Sequence, residues 1–161
     1  MIRALVMCAA LVAPWPAFAL SCMPHSVEAA FQGAKISDAE YIVVRGTLRF
    51  DHKLLPKTDW EHQQDTPPMT RIPVTLQGLS LSRAGFDVPF DRKVTLEVAC
   101  LGPWCASANN GDVLAFVARG LSGYVLETNP CGGFLFGNPS PAMLKKVSAC
   151  FQGKDCTPPK R

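Results

Sequence analysis

Residues 71–82 read RIPVTLQGLSLS, and the spacing of their apolar side chains predicts a long, bent β-strand. Apolar and polar residues alternate along the segment, which is the two-residue period of a strand with one buried face. The apolar residues form two runs that are out of phase with each other, namely Ile72, Val74 and Leu76, then Leu79 and Leu81. The phase changes at Gly78, and a phase change at a glycine is typical of a β-bulge or sharp bend. Bent strands of this kind are used to close small barrels.

The flanking segments extend this pattern to a mainly β chain with a short helix at each end. Further strand patterns occur at residues 41–50, 93–100, 113–117 and 123–128. Residues 24–35 and 141–153 have the helical period, with the first helix ending near Gly33 and the second beginning after Ser140. Exposed loops are expected at residues 51–69 and 129–140. With two helices and five or six strands, the expected fold is a small antiparallel barrel of the OB type.

The first 19 residues have the parts of a secretory signal peptide. These parts are the positive charge of Arg3, the apolar run at residues 4–13 and the small residues Ala17 and Ala19. Cleavage after Ala19 leaves 142 of the 161 residues, which suits one domain at residues 20–156 with a flexible tail at residues 157–161. The expected location is secreted or periplasmic, and no membrane insertion is expected after cleavage, because nothing later in the chain has the length and hydropathy of a membrane span.

The chain after residue 19 is rich in cysteine. It contains Cys22, Cys100, Cys105, Cys131, Cys150 and Cys156. An even number of cysteines in an exported chain predicts three disulfides, and the residues alone leave all fifteen pairings open.

Two long segments resemble a known family. They are SCMPHSVEAAFQGAKISDAEYIVVRGTL at residues 21–48 and GDVLAFVARGLSGYVLETNPCGGFLFGNPSPAMLKKVSAC at residues 111–150. Both are similar to the netrin-like domain, which is shared by tissue inhibitors of metalloproteinases, procollagen C-proteinase enhancers and complement C-termini. The shared pattern is a cysteine and nearby proline, a short helix with a phenylalanine, a strand ending in Val-x-Gly, and a late helix ending in a cysteine. The resemblance implies a disulfide-stapled OB barrel.

The resemblance also implies a disulfide pattern. The family ties its N-terminal cysteine to the cysteine after the last strands, which implies Cys22 with Cys131 here. The family's partner for the helix cysteine would lie near Phe31, where this chain has none, so the resemblance leaves Cys150 with Cys156 and Cys100 with Cys105.

The resemblance further implies a relative of protease inhibitors. Those inhibitors present a free N-terminal cysteine whose amine and carbonyl bind the zinc of the protease. Cleavage after Ser21 would make Cys22 such a terminus. Cleavage after Ala19 is favoured, and it makes Cys22 a structural half-cystine; the chain also lacks the Cys-x-Cys pair of the inhibitors.

Residues 100–105, CLGPWC, contain the residue types of a thioredoxin active site in a different order. Enzymes of that kind place two cysteines two residues apart at the start of a helix, whose N-terminus lowers the pKa of the first thiol. Here four residues intervene, and Cys100 ends a strand with no helix after it. A structural disulfide clip is therefore favoured, and a thiol–disulfide oxidoreductase using Cys100 and Cys105 is the alternative.

The expected function is non-enzymatic protein binding, and no catalytic residue is assigned. The candidate partner-binding residues are Cys22, Met23, Trp60, Trp104, Phe134 and Phe136. Aromatic side chains on loops at the end of a barrel are typical anchors for a protein partner. The alternatives are that these rings cap the core, and that the chain is a structural envelope protein without a discrete site.

Other ligand classes are not indicated. The histidines and acids of the long loop, His52, Asp59, Glu61 and His62, lie on a proline-rich framework that would not fix a metal geometry, so a solvated loop is favoured. His25 is expected at the start of a helix and not as a catalytic base. The formal net charge of +3 comes with scattered basic residues, which does not indicate nucleic-acid binding. No metal and no cofactor are therefore expected.

Overall fold

A computed structural model describes residues 21–159 as a mainly β protein with two helices. The helices are α1 (Val27–Ile36) and α2 (Pro141–Phe151). The strands are β1 (Glu40–Arg49), β2 (Met69–Ser82), β3 (Gly85–Leu101), β4 (Trp104–Cys105), β5 (Gly111–Gly120), β6 (Gly123–Thr128) and β7 (Leu135–Gly137). Short 3-10 turns at His52–Leu54 and Gln63–Asp65 lie in the otherwise irregular segment between β1 and β2. The predicted signal peptide, residues 1–19, lies outside the described residues.

All seven strands belong to one hydrogen-bonded sheet in the order β1-β2-β3-β6-β5-β7, with β4 paired to β3. The β3–β6 pair is parallel, and the other pairs are antiparallel. β1 pairs with β5 as well as with β2, so both edges of β1 form hydrogen-bonded ladders. Through these two ladders, β1 is hydrogen-bonded to β2 and to β5, which are far apart in the sequence.

The bend in β2 lies two residues beyond the predicted position. The register between β2 and β3 shifts between Ser80 and Leu81, and both of these side chains are buried. Gly78 is instead the cross-strand neighbour of Gly46 in β1. A Cβ atom on Gly46 would contact the backbone carbonyl of Gln77, and one on Gly78 would contact the carbonyl of Arg45. The glycines therefore permit a close approach of β1 and β2, and the bulge forms at another place.

The core has two parts on opposite faces of the sheet. One part lies on one face of the sheet, and its fully buried residues include Val44, Leu48, Ile72, Leu76, Leu96, Val98 and Leu126. The other part lies between the helices and β1, β5 and β7, and it includes Val27, Val43, Leu114, Phe116, Phe136 and Val147. Leu81 of β2 and Phe86 of β3 also join this part of the core, whereas most residues on the same face of β2 and β3 are exposed.

Capping residues explain where the helices begin. Ser26 caps α1 by accepting the N–H of Ala29, and Ser140 caps α2 by accepting the N–H of Met143. The predicted start of α2 is confirmed, with Pro141 in its first turn. α1 continues to Ile36, past Gly33, because Gly33 keeps a helical conformation next to Phe134.

Two sequence expectations about the last third of the chain are wrong. The segment at residues 129–140 is not all loop, because Leu135–Gly137 forms β7 against β5. Phe136 is only 5% exposed, and Phe134 is half-buried against both parts of the core. Phe136 is therefore a core residue and not a surface anchor, whereas Phe134 packs on the core and remains partly exposed.

Candidate functional site

Three disulfides join the six cysteines in the pairs that the family resemblance implies. Cys22 is bonded to Cys131, Cys100 to Cys105, and Cys150 to Cys156. The first bond ties the N-terminal segment to the loop after β6, the second closes β3 on β4, and the third closes the end of α2. Three disulfides in one small domain are typical of an extracellular or otherwise oxidising compartment.

The Cys100–Cys105 disulfide forms a clip at the end of β3, and we call residues 100–105 the clip. Cys100 lies opposite Cys105 and Leu101 opposite Trp104 in a β-hairpin. The turn passes through Gly102, whose φ of +59° favours glycine. Because both cysteines lie in strands, the clip lacks the helix N-terminus that activates a thiolate in redox enzymes. The clip displays two large apolar side chains, since Leu101 and Trp104 are each about half exposed.

The long loop before β2 is attached to the clip at two points. The Thr58 hydroxyl donates to the carbonyl oxygen of Pro103 at 2.8 Å. The Cys100 N–H donates to the carbonyl oxygen of Pro68 at 2.9 Å. Residues 58–68 therefore form an arch whose two ends are held on the clip, and we call this segment the arch.

The arch and the clip bring four exposed apolar side chains to one end of the sheet. They are Trp60, Met69, Leu101 and Trp104, which we call the clip surface, with exposed fractions of 66%, 40%, 50% and 48%. Trp60 is two residues from Thr58, and Trp104 follows Pro103, so the two tryptophan Cα atoms lie roughly 20 Å apart at most. Met69 pairs with Ala99 on the outward face of β3, two residues before Leu101.

The N-terminal segment lies at the same end of the sheet. Val98 of β3 is the parallel neighbour of Thr128 in β6, so β3 and β6 end at the same edge. Cys100 follows the first of these residues, and Cys131 follows the second. Met23, next to Cys22, is 69% exposed. Of the six residues predicted to bind a partner, the structure therefore places Cys22, Met23, Trp60 and Trp104 at this end.

Two members of the clip surface are absent from the sequence-based candidates. Leu101 follows the buried Cys100 by one residue, so the two-residue period of β3 places it on the outward face. That period was visible in the sequence and could have identified Leu101. Met69 has no comparable signal, because its position follows from the attachment of Pro68 to Cys100.

His25 links the N-terminal segment to the core. Its ring stacks on Phe136 with a centroid distance of 4.0 Å and an interplanar angle of 7°. Its Nε2 is hydrogen-bonded to the carbonyl oxygen of Gly133 at 3.0 Å. The burial of the ring lowers the pKa of His25, and the hydrogen bond to Gly133 opposes this shift. The position directly before the cap residue Ser26 agrees with the expected role at a helix start.

The His25 contacts predict a pH dependence of stability. Because the pKa of His25 is lower in the folded chain than its ordinary value of 6.5, the unfolded chain binds more protons as the pH falls below 6.5. The free energy of unfolding should therefore decrease from about pH 7.5 to about pH 5, by less than about 1 kcal/mol because the ring is half exposed and partly screened. Urea unfolding at both pH values measures this decrease. It should become smaller in His25→Gln and should persist in His52→Gln, a histidine of the exposed loop; equal decreases in all three proteins would contradict the assignment to His25.

The acids and histidines of the long loop do not converge on one point. His62 Nδ1 lies 3.3 Å from Asp59 Oδ2, and both side chains are more than half exposed. Within residues 21–159, no three His, Cys, Asp or Glu side chains form a group that could hold a metal ion. Asp59 serves the loop itself, because its Oδ1 accepts the N–H groups of Glu61 and His62 at 2.9 and 3.0 Å.

None of the helices formed by the described residues is long and apolar enough to cross a membrane. Comparisons of the chain with protein-family models, with curated proteins and with solved structures found no match. The candidate function therefore depends on the geometry of the clip surface and on the chemistry around it.

Proposed function

We propose that this chain is an exported protein-binding module that acts without catalysis and contacts its partner through the clip surface. In this proposal, residues 1–19 direct export and the mature chain begins at Leu20. The disulfides support the oxidising compartment that export would reach.

The fold in this proposal is a five-stranded OB-type barrel of the netrin-like kind. The support for closure is that β1 pairs along both edges, which completes the cycle β1-β2-β3-β6-β5-β1. The parallel β3–β6 pair and the bulged β2 agree with a small barrel whose strands coil strongly. The disulfide between Cys22 and Cys131 agrees with the family pattern.

A single observation carries the functional proposal: four large apolar side chains are exposed together at one end of the sheet, and the chain fixes them there. The clip disulfide and the two hydrogen bonds of the arch restrain the backbone that carries them. Exposed apolar groups that are clustered and restrained are typical of protein-binding sites, since their immobilisation costs little entropy on binding. Tryptophan in particular is enriched among the residues that dominate binding energy.

Chelation of a protease's zinc by Cys22 is a weaker proposal. Cleavage after Ala19 leaves Leu20 and Ser21 in front of Cys22, so the Cys22 amine would be part of a peptide bond. The clip surface does not depend on the position of the mature N-terminus, because its four members lie on the arch and the sheet.

The proposal predicts that Trp104→Ala weakens partner binding at least about tenfold, because an anchoring tryptophan contributes about 2 kcal/mol or more. The measurement is quantitative capture by the immobilised exported protein from the envelope and medium fractions of the producing cells. Leu121→Ala is the matched control, since Leu121 is fully exposed at the turn between β5 and β6, at the opposite end of the sheet. A partner retained equally by all three proteins would contradict the role of the clip surface.

A further inference from the structure

The charges around the clip surface differ in sign from those of the whole chain. Five carboxylates lie on the arch and on the strands next to it, namely those of Asp59, Glu61, Asp65, Glu97 and Glu127. Within residues 57–71, 95–105 and 126–131, which form this end of the sheet, the only Lys and Arg side chains are those of Lys57 and Arg71, since Arg92 and Lys93 lie farther back along β3. The complete chain has a formal net charge of +3. The clip surface is therefore an acidic region in a basic protein.

The arch places its carboxylates beside an exposed ring. Asp59 and Glu61 flank Trp60 in the sequence, and all three residues are exposed. The hydrogen bonds that Asp59 accepts from the backbone N–H groups of His62 and Glu61 lower its pKa, so that this carboxylate stays ionised. A negative charge is thus maintained at the residue next to Trp60 in the chain.

The strands beside the arch add unbalanced negative charge. Arg71 donates to Glu97 Oε1 at 2.8 Å, which neutralises one carboxylate. Glu127 lies opposite Glu97 in the parallel β3–β6 pair, so two carboxylates are direct neighbours across the strands. Partial burial of Glu127 and the charge of Glu97 both raise the pKa of Glu127. A cation brought to this position would relieve the repulsion between the two carboxylates.

We propose that the clip surface binds a cationic amphipathic polypeptide segment, in which lysine or arginine residues alternate with large apolar side chains. This inference rests on the proposed function and names the chemistry of the partner. The apolar side chains of the segment would pack on Trp60, Met69, Leu101 and Trp104. Its cations would lie against the carboxylates and the indole faces, which attract them by charge and by cation–π interaction. The same acidic rim repels nucleic-acid phosphates and anionic lipid head groups.

The test uses a defined probe, a synthetic fourteen-residue amphipathic peptide of leucine and lysine, with the matched leucine and glutamate peptide as its control. Trp60 and Trp104 are the only tryptophans of residues 21–159, so tryptophan fluorescence of the mature chain from Leu20 onward, which lacks Trp15, follows binding at this surface. Trp60→Phe and Trp104→Phe assign the signal to each ring. We expect binding of the lysine peptide only, weakened at least about threefold when the salt concentration rises from about 0.05 M to about 0.5 M.

Charge variants test the acidic rim itself. We expect the triple variant Asp59→Asn, Glu61→Gln, Asp65→Asn to lose at least about fivefold in affinity for the lysine peptide, which corresponds to about 1 kcal/mol. The matched control neutralises three exposed acids away from the clip surface, namely Asp38, Asp155 and, at the far end of β3, Asp87. Equal binding of both peptides, or equal losses in the two triple variants, would overturn the inference.

The outcomes separate this inference from the proposed function. If the lysine peptide does not bind while capture of the natural partner still requires Trp104, the cationic class is wrong and the proposed function remains. If neither binding event depends on Trp104, the proposed function is wrong as well. Sedimentation of the chain alone tests whether a second copy of the chain occupies the clip surface. A concentration-dependent dimer that Trp104→Ala dissociates would overturn the inference in favour of that second copy.

Discussion

Replacement of both Cys22 and Cys131 by alanine is expected to lower the free energy of unfolding by about 5 kcal/mol. The bridge joins residues 109 positions apart, so its loss releases a loop that includes all elements of the described chain except β7 and α2. In the chain-entropy description of disulfides, the stabilisation grows with the logarithm of the loop length. A loss of this size approaches the total stability of many single domains, and we expect the variant to be largely unfolded at physiological temperature.

The other terminal disulfide provides the comparison for this prediction. Cys150 and Cys156 are six positions apart, so their replacement by alanine should cost only about 2 kcal/mol by the same reasoning. Urea unfolding followed by circular dichroism measures both variants against the unmodified protein. Equal losses in the two double variants would show that the length of the closed loop does not determine the stabilisation in this protein.

The second large effect is expected at the glycine pair of β1 and β2. A Cβ atom at Gly46 would overlap the Gln77 carbonyl, and one at Gly78 would overlap the Arg45 carbonyl. These obstacles are backbone atoms of a paired strand and cannot rotate away as a side chain can. Gly46→Ala and Gly78→Ala should therefore each destabilise the fold by more than about 3 kcal/mol, which exceeds the usual cost of an overpacked core residue.

A glycine of the same sheet offers a matched control. A Cβ atom on Gly137 in β7 would have no neighbour within 4 Å, and the φ of Gly137 is not positive. Gly137→Ala should change the free energy of unfolding by less than about 1 kcal/mol. Thermal and urea unfolding of the three alanine variants measures the difference. A loss at Gly137 as large as that at Gly46 would show that the close approach of β1 and β2 is not the cause.

Local signals predicted the elements that depend on neighbours in the sequence. Ser140 and Pro141 fixed the start of α2, because a cap bond and a restricted φ are properties of one helical turn. The period of residues 71–76 identified the buried face of β2 for the same reason. β7 was not predicted, because three residues are too few to show a period and their strand conformation depends on pairing with β5.

Contacts between distant residues account for the errors. Gly78 carried the correct signal for a special backbone position, but its role depends on Gly46, 32 positions earlier in the chain. Phe136 looked like a loop residue, and it is buried because α1, β5 and His25 pack around it. The residue types of Trp60 and Trp104 identified two parts of the candidate site. Their proximity depends on the hydrogen bond between Thr58 and Pro103, which no sequence pattern indicates.

The contacts that hold the arch in place do not involve most of the side chains that it exposes. The groups that receive the arch are backbone atoms of Pro103 and Cys100, and the residues between the two attachments at 59–65 are all exposed. Apart from Asp59, whose carboxylate accepts two N–H groups of the loop, the side chains at residues 59–65 neither pack in the core nor hold the attachments. Under the proposed function, substitutions in this segment would change the target that the chain recognises, while the same disulfide-bonded framework continues to display it, as antibody frameworks do for their hypervariable loops.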